Sequence, residues 1–331
     1  VGLSTKILPH NFIELIDSAV KYLRVRKFEI YPDFVTGGEI DVSNYNDGKR
    51  GGRVKARAKI NQLNKNTLVI SQIPFTTTST SLIESIIKAN ERGKIKIKKI
   101  EDNTSDNVEI LIHLPNGISP DKTIDALFAF TNCEVSISPL GCVIENHKPI
   151  FIGVSEILKK SVDLTRDLLR KELEVKESEL DQLWHNSTLE KIFIENRIYR
   201  LIEEKETWEE VLEAINNGLK PFVNLLKREI NQDDIVRLTE IKIKRISKYD
   251  IDKADKRIKQ IENDLELILD NLNNLTSFTI DYFKNLKKKY ATGKERKTEI
   301  KIFDDVDVKK VVVRNVKLYV NRNEGFVGTS L

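Results

Sequence analysis

Apolar residues recur along this chain with two different periods, and each period marks a stretch with its own architecture. Over residues 11–25, Phe12, Leu15, Ile16, Ala19, Val20 and Leu23 fall three and four apart, the spacing of one face of an amphipathic helix. Further on the period shortens to two. Strands are expected near 54–60, 67–73, 95–100 and 108–114, because successive strand side chains point to opposite faces. A polar run from Thr76 to Ser81 reads as a loop closing on a helix cap, with Ser81 at the capping-box spacing from Glu84. Ser119-Pro120 opens another helix to Phe130, with proline at the first position. Residues 1–150 therefore read as a mixed α/β unit.

From Ser155, a good cap, to about Tyr199 the chain holds neither Gly nor Pro, and a long helix is expected. Its seam is Val162, Leu169, Leu173, Leu180 and Leu183, interrupted by Arg166 and Lys176. A cleaner seam follows: Ile258, Ile261, Leu265, Ile268, Leu272, Leu275, Thr279, Tyr282 and Leu286 keep phase throughout. It predicts one unbroken coiled-coil helix of about 43 Å. Between the two lies a section with Pro and Gly, which suggests an antiparallel arm. At its tip, Trp208, Val211, Leu212, Phe222, Leu225, Leu226, Ile235, Leu238, Ile241, Ile243 and Ile246 would form either a core of their own or a dimer surface. From Lys309 the chain alternates again (Val311, Val313, Val316, Leu318, Val320) and reads as the opening of a further β domain. The expected fold class is an α/β (α+β) domain, then a long antiparallel α-helical coiled coil with a small helical tip domain. The expected units are 1–150, an ascending helix 151–205, the tip 206–250, a descending helix 251–290, and a return segment 291–331.

Composition changes the picture in two ways. The 331 residues include no methionine and open on Val1, so a complete translation product is not expected. The net charge of +4 conceals a segregation: residues 49–99 carry 13 bases against two acids, whereas 100–150 carry two against eight. In Arg53-Val54-Lys55-Ala56-Arg57-Ala58-Lys59-Ile60 bases and apolar residues alternate strictly, which lines the cations along one strand face about 7 Å apart. Lys49 and Arg50 extend that row through Gly51-Gly52, and Lys94-Ile95-Lys96-Ile97-Lys98 repeats it. Lys49, Arg50, Arg53, Lys55, Arg57, Lys94, Lys96 and Lys98 are thus candidate contacts to a phosphate backbone. A solvated face whose lysines discourage edge pairing is the plainer reading, although such faces usually mix signs. The absence of interleaved aromatics favours duplex over single strand. A second basic cluster comprises Lys284, Lys287, Lys288, Lys289, Lys294, Arg296, Lys297 and Lys301.

Candidate chemistry is sparse. No phosphate-binding Gly-rich motif occurs, and His10, His113, His147 and His185 are scattered without metal-ligand spacing. Cys133 and Cys142 form no CxxC pair and fit a reducing cytoplasm. No run of 18 apolar residues suggests a membrane span.

Several motifs carry a resemblance. Val1-Gly2-Leu3-Ser4-Thr5-Lys6-Ile7-Leu8-Pro9-His10-Asn11 resembles the VG-(M/L)-(A/S)-T-x-I-x-P-H-N segment of the A subunits of bacterial type IIA topoisomerases, DNA gyrase and topoisomerase IV. Pro32-Asp33-Phe34, followed by Thr36-Gly37-Gly38, is similar to their PDFPTGG turn, and Gly52-Arg53-Val54-Lys55-Ala56-Arg57-Ala58 to their GxVxxRA strand. Ile73-Pro74-Phe75 resembles their IPY element, and Arg296-Lys297-Thr298-Glu299-Ile300 their R(R/K)TEI motif. The closing residues 325–331 look more like topoisomerase IV of the Bacteroidetes type than gyrase.

The resemblance implies a tower domain over 1–150, a coiled-coil arm whose tip forms a dimeric exit gate, and the start of a β-pinwheel. It implies double-stranded DNA, a second copy through the tip (Ile235, Leu238, Ile241 and Arg245), and a topoisomerase B subunit in an A2B2 assembly as partners. The setting is cytoplasmic and nucleoid-associated. Mg2+ and ATP enter through the B subunit; no cofactor or metal is expected in this chain. In the family the nucleophile is a tyrosine after an arginine on an upstream domain. None of the eight tyrosines here follows an arginine. The resemblance thus implies an ATP-hydrolysing topoisomerase as the full complex, with no catalytic residue in this stretch. The alternative is a structural coiled-coil adaptor with a basic, nucleic-acid-binding head.

Overall fold

The computed structural model describes residues 3–242, 244, 246, 250–304, 319–321 and 326–328. It divides into two compact units, Val1–Ser161 with Phe283–Leu331, and Val162–Tyr282. In chain order the first contains α1 (Phe12–Leu23), β1 (Glu39–Asp41), β2 (Val54–Arg57), β3 (Lys59–Asn64), β4 (Thr67–Gln72), α2 (Ser79–Glu91), β5 (Lys99–Asp102), β6 (Ile110–His113), α3 (Pro120–Phe130), β7 (Glu134–Ile137), the hairpin β8 (Cys142–Glu145) and β9 (Lys148–Phe151), and the start of α4 (Val154–Glu195). The second continues α4 and adds α5 (Trp208–Leu219), α6 (Gln232–Thr239), α7 (Ile251–Asn273) and the first half of α8 (Leu275–Tyr290). Beyond α8, β10 (Glu299–Ile300) returns to the first unit. β11 (Tyr319–Asn321) and β12 (Phe326–Gly328) pair as an antiparallel ribbon. Val311, Val313, Val316 and Leu318 of the expected tail lie outside the described residues.

The first unit is built on two four-stranded sheets, ordered β10-β1-β2-β7 and β3-β4-β6-β5. The strand expected over 54–60 is two strands, one in each sheet. Up to Ala58 the chain follows β7, and the Ala58 amide donates to the Cys133 carbonyl at 2.8 Å. From Lys59 it follows β4, with register shifts after Lys59 and after Gln62. Irregularities of this kind bend the strand that carries them; Val54, Ala56 and Ala58, which precede them, are all buried. On the second sheet, Leu68, Ile70, Ile110 and Ile112 pack with Leu82, Ile86, Ala126 and Leu127 of the helices.

Helix starts follow local chemistry, with two departures from expectation. Asn11 caps α1, its Oδ1 accepting from the amides of Ile13 and Glu14. α2 begins earlier than expected because Thr78 is the cap. Its hydroxyl accepts from the Ser81 amide at 3.2 Å, and Ser81 takes the reciprocal place in the box that Glu84 was expected to hold. At α4, Ser155 lies inside the first turn. The carboxylate at that end comes from Asp47, whose Oδ1 accepts from the Ser155 amide (3.1 Å) and hydroxyl (2.8 Å). The strand expected over 95–100 begins only at Lys99. Before it the chain is held to the end of α2, Lys94 N–H donating to Ala89 and Ile97 N–H to the Asn90 side chain.

In the second unit α4 and α7 run antiparallel. Leu173 clusters with Ile268 and Leu275, Trp184 with Ile261 and Leu265, and Lys191 pairs with Asp255. The continuous helix expected from the later seam is interrupted at Asn274 (φ −111°, ψ 37°). Its side-chain amide donates to the Asp270 carbonyl and carboxylate, the local competition that disfavours Asn inside helices. The seam keeps its phase across the break: Ile261, Leu265, Ile268, Leu275 and Thr279 are all buried.

Candidate nucleic-acid interface

The turn that carries Lys49, Arg50 and Arg53 is tightly built. Asn46, Asp47 and Gly48 all have left-handed backbone conformations (φ 51°, 53° and 73°). The Gly48 carbonyl accepts from the Gly141 amide, and the Arg53 amide donates to the Asn44 carbonyl. Beneath the turn Tyr45 is buried, its hydroxyl 3.0 Å from His10 Nε2. Burial pushes the Tyr45 hydroxyl up and, as the leading cause, the His10 imidazole down, so both groups stay neutral at pH 7. Gly52 has no room for a side chain: a Cβ would stand 2.2 Å from the Tyr45 carbonyl oxygen. Gly52→Ala is expected to cost about 1–3 kcal/mol by overpacking. A thermal transition matching the unsubstituted protein would refute that.

On this base Lys49, Arg50 and Arg53 are exposed and form no ion pair among the described residues. The rest of the row is engaged differently. Lys55 stands opposite Asp41 on the neighbouring strand; burial would raise that carboxyl, but hydrogen bonds from Ser43 and from the Phe303 amide, with a smaller pull from Lys55, hold it below its usual range. Arg57 is committed to the fold: its Nε donates to Glu134 at 2.6 Å, and its guanidinium lies 4.6 Å from the Phe128 ring centre and 4.1 Å from that of Phe303. Lys94, Lys96 and Lys98 are exposed while Ile95 is buried, so the alternation survives in an extended segment without a strand. Lys94 Nζ lies 5.6 Å from the Phe130 ring centre.

The later basic cluster is largely structural. Lys287 donates to both oxygens of Asp17, Lys301 pairs with Glu39, and Lys294 lies over the Phe12 ring. Arg296 forks onto Glu14 with two bonds of 2.6 Å and donates to the carbonyls of Tyr31 and Pro32.

The motif residues at the two ends of the sequence meet in one place, which spacing alone did not foretell. Asp33 accepts from the Asn11 side chain and from the amides of Lys297 and Thr298. The Thr298 hydroxyl, buried, accepts from the Phe34 amide at 2.7 Å. Gly38 lies so close to the Arg57 carbonyl that a Cβ would stand 2.7 Å from it, and its own carbonyl accepts from the Glu299 amide where β10 joins β1. The signal available beforehand was a pair of polar motifs with no local partner.

In the second unit, Ile235 and Leu238 are buried, packed with Leu189, Ile192, Phe193, Ile215 and Leu219. Ile241 is half-buried against the same cluster; Ile243 and Arg245 lie outside the described residues. Trp208 and Leu225 are 52% and 61% exposed and so stand outside this core. Beside the core, Asp234 accepts two bonds from Arg228, one from the Asn231 amide, and faces His185 Nε2 at 3.2 Å. Among the described residues no group of three or more His, Cys, Asp or Glu is arranged to hold a metal ion. No helix among them is long and apolar enough to cross a membrane.

Comparison with known proteins gives this geometry a family. The family profile for the A subunit of DNA gyrase/topoisomerase IV matches residues 1–285. The A subunit of DNA topoisomerase 4 from Borreliella burgdorferi is 37% identical over the whole chain, which spans 53% of that protein's length. The DNA gyrase A subunit of Brachyspira hyodysenteriae is 23% identical over 91% of the chain and 37% of its own length. That of Helicobacter pylori is 26% identical over 99% of the chain and 41% of its own length. The chain belongs to the family of DNA gyrase and topoisomerase IV A subunits.

Proposed function

We propose that the first unit is a tower that holds duplex DNA by its phosphates, and that the second is an arm whose tip closes an exit gate with a second copy. The observation that carries the first half is the turn at Lys49, Arg50 and Arg53, where three bases without ion-pair partners among the described residues stand on a backbone fixed from beneath. Exposed cations with no ion pair among the described residues, the one carboxylate of the turn being hydrogen-bonded to Ser155, suit sequence-tolerant contact with a duplex backbone. Lys94, Lys96 and Lys98 extend the contact, and Lys55 borders it. Arg57 supports the sheet under them.

For the gate, exposed Trp208 and Leu225 offer apolar surface near the tip core, with Ile235 and Leu238 as its foundation and Ile241 at half burial. Arg245 joins that contact in the proposal. The working assembly is an A2B2 complex in which the B subunit supplies ATP hydrolysis and Mg2+, and a transported duplex passes through the gated one. The role assigned to this chain is holding and gating, without a catalytic residue of its own. The setting proposed is the cytoplasm, at the nucleoid.

The test is salt dependence. Joint replacement of Lys49, Arg50 and Arg53 by alanine is expected to reduce the slope of log K against log salt for a duplex by roughly 3, since each phosphate contact contributes about 0.9. An unchanged slope would reject the turn as a phosphate contact.

A further inference from the structure

The second sheet turns its inner face to α2 and α3, and at one end its outer face forms a cleft. Strand alternation brings Thr67, His113 and Lys99 side by side there, in register across β4, β6 and β5. The cleft has a volume of about 520 Å3 and is lined by, among others, Asn66, Lys98, Lys99, Glu101, His113 and Asn116.

One carboxylate already lies among these donors. Glu101 Oε1 accepts from Lys99 Nζ at 2.5 Å and stands 3.5 Å from His113 Nε2. His113 Nδ1 is 3.2 Å from the Thr67 hydroxyl. The carboxylate 3.5 Å from Nε2 favours the tautomer with the ring proton there, and the Thr67 hydroxyl then donates to Nδ1. Nε2 is buried, with no hydrogen-bond partner among the described residues. Asn66 donates its amide to Asn116 Oδ1 at 2.8 Å, which leaves the Asn116 –NH2 as a donor at the wall. Lys98 is exposed and forms no ion pair among the described residues. Two ammonium groups, a ring N–H and an amide thus face a single acid. That excess suits an anion with more oxygens and more charge than a carboxylate.

We propose that this cleft binds a phosphate group, whose oxygens replace the Glu101 carboxylate against Lys99 and His113 while Lys98 covers it. Glu101 is then an internal occupant that sets the affinity. A phosphodiester of bound duplex and free phosphate present the same oxygens; the first source rests on the DNA-holding role proposed above.

The experiment uses the full chain with a fluorescent duplex over a series of salt concentrations, affinities being compared at matched ionic strength, alongside inorganic phosphate followed through the His113 ring signals by NMR. Glu101→Gln is expected to tighten the duplex about three- to tenfold, the size of one lost surface repulsion. Glu109→Gln, the same charge change outside the cleft, gives the background. Lys98→Ala is expected to weaken the duplex and lower its salt slope by about 0.9. Inorganic phosphate should shift the His113 signals saturably, and at lower concentration in Glu101→Gln. If duplex binding responds to Lys49, Arg50 and Arg53 but not to Glu101 or Lys98, a saturable phosphate shift identifies free phosphate as the ligand. If no duplex binds at all, the DNA-holding role falls, and the phosphate titration still decides the cleft. His113 signals indifferent to phosphate, together with duplex affinity in Glu101→Gln no tighter than in Glu109→Gln, overturn the proposal.

Discussion

Arg296→Ala is expected to destabilise the first unit by roughly 3 kcal/mol, the low end of the cost of removing one member of a buried ion pair. The low end applies because Glu14 retains 37% side-chain exposure, and water recovers part of its loss. Four groups lose a donor together: the Glu14 carboxylate and the carbonyls of Tyr31, Pro32 and, at 3.5 Å, Thr298. Arg296→Lys should recover under half of the loss, since an ammonium cannot supply the planar fork. Urea unfolding followed by far-UV circular dichroism measures both. Equal stability for the alanine variant and the unsubstituted protein would show that the fork contributes nothing.

A comparable loss, roughly 3 kcal/mol, is expected for Asp234→Asn in the second unit. Asp234 is 4% exposed and His185 2%, so water does little to compensate either of them; the figure stays at the low end because the Arg228 side chain is 37% exposed. Burial alone would raise the Asp234 carboxyl, but the Arg228 guanidinium, the Asn231 amide and the His185 ring outweigh it and hold it below its usual value. For His185 burial is the largest cause and Arg228 adds to it, and together they lower the imidazole against the pull of Asp234. Both groups therefore bind protons less readily folded than unfolded, and stability rises with pH wherever the unfolded chain holds the extra proton. The His185 contribution is full above about pH 6.5 and fades as pH falls through its lowered folded value; that of Asp234 fades below about pH 4. Thermal scans between pH 8 and 3 should show this acid loss, with the part below pH 4 reduced in Asp234→Asn. A transition independent of pH in the unsubstituted protein would contradict it.

Faces were easier to read from the sequence than partners. Alternation puts Val54, Ala56, Ala58 and Ile60 on the face opposite the cations, and the first three are buried while Ile60, past the change of sheet, is half-buried. It did not reveal that one strand passes between two sheets at Ala58, since the alternation of side chains says nothing of which strand lies alongside. Nor did it separate cations that meet solvent from cations that bind the fold. Arg53 and Arg57 occupy equivalent places in the pattern, yet Arg57 is taken by Glu134, Phe128 and Phe303, residues distant in sequence. The later basic cluster, continuous in sequence, is divided in the same way: Lys287 and Arg296 are tied to α1. The later seam was legible in phase but not in continuity: Asn274 breaks the helix through a side-chain competition that a hydrophobic pattern does not register.

The Asp47 carboxylate has a mechanical consequence. It belongs to the same left-handed turn as Lys49, and it is hydrogen-bonded to the first turn of a helix 42 residues long. A pull on the basic turn therefore bears on the start of that helix through the Asp47 side chain, by its two hydrogen bonds to Ser155, as well as along the chain itself. The turn thus moors the start of that helix as well as carrying exposed cations.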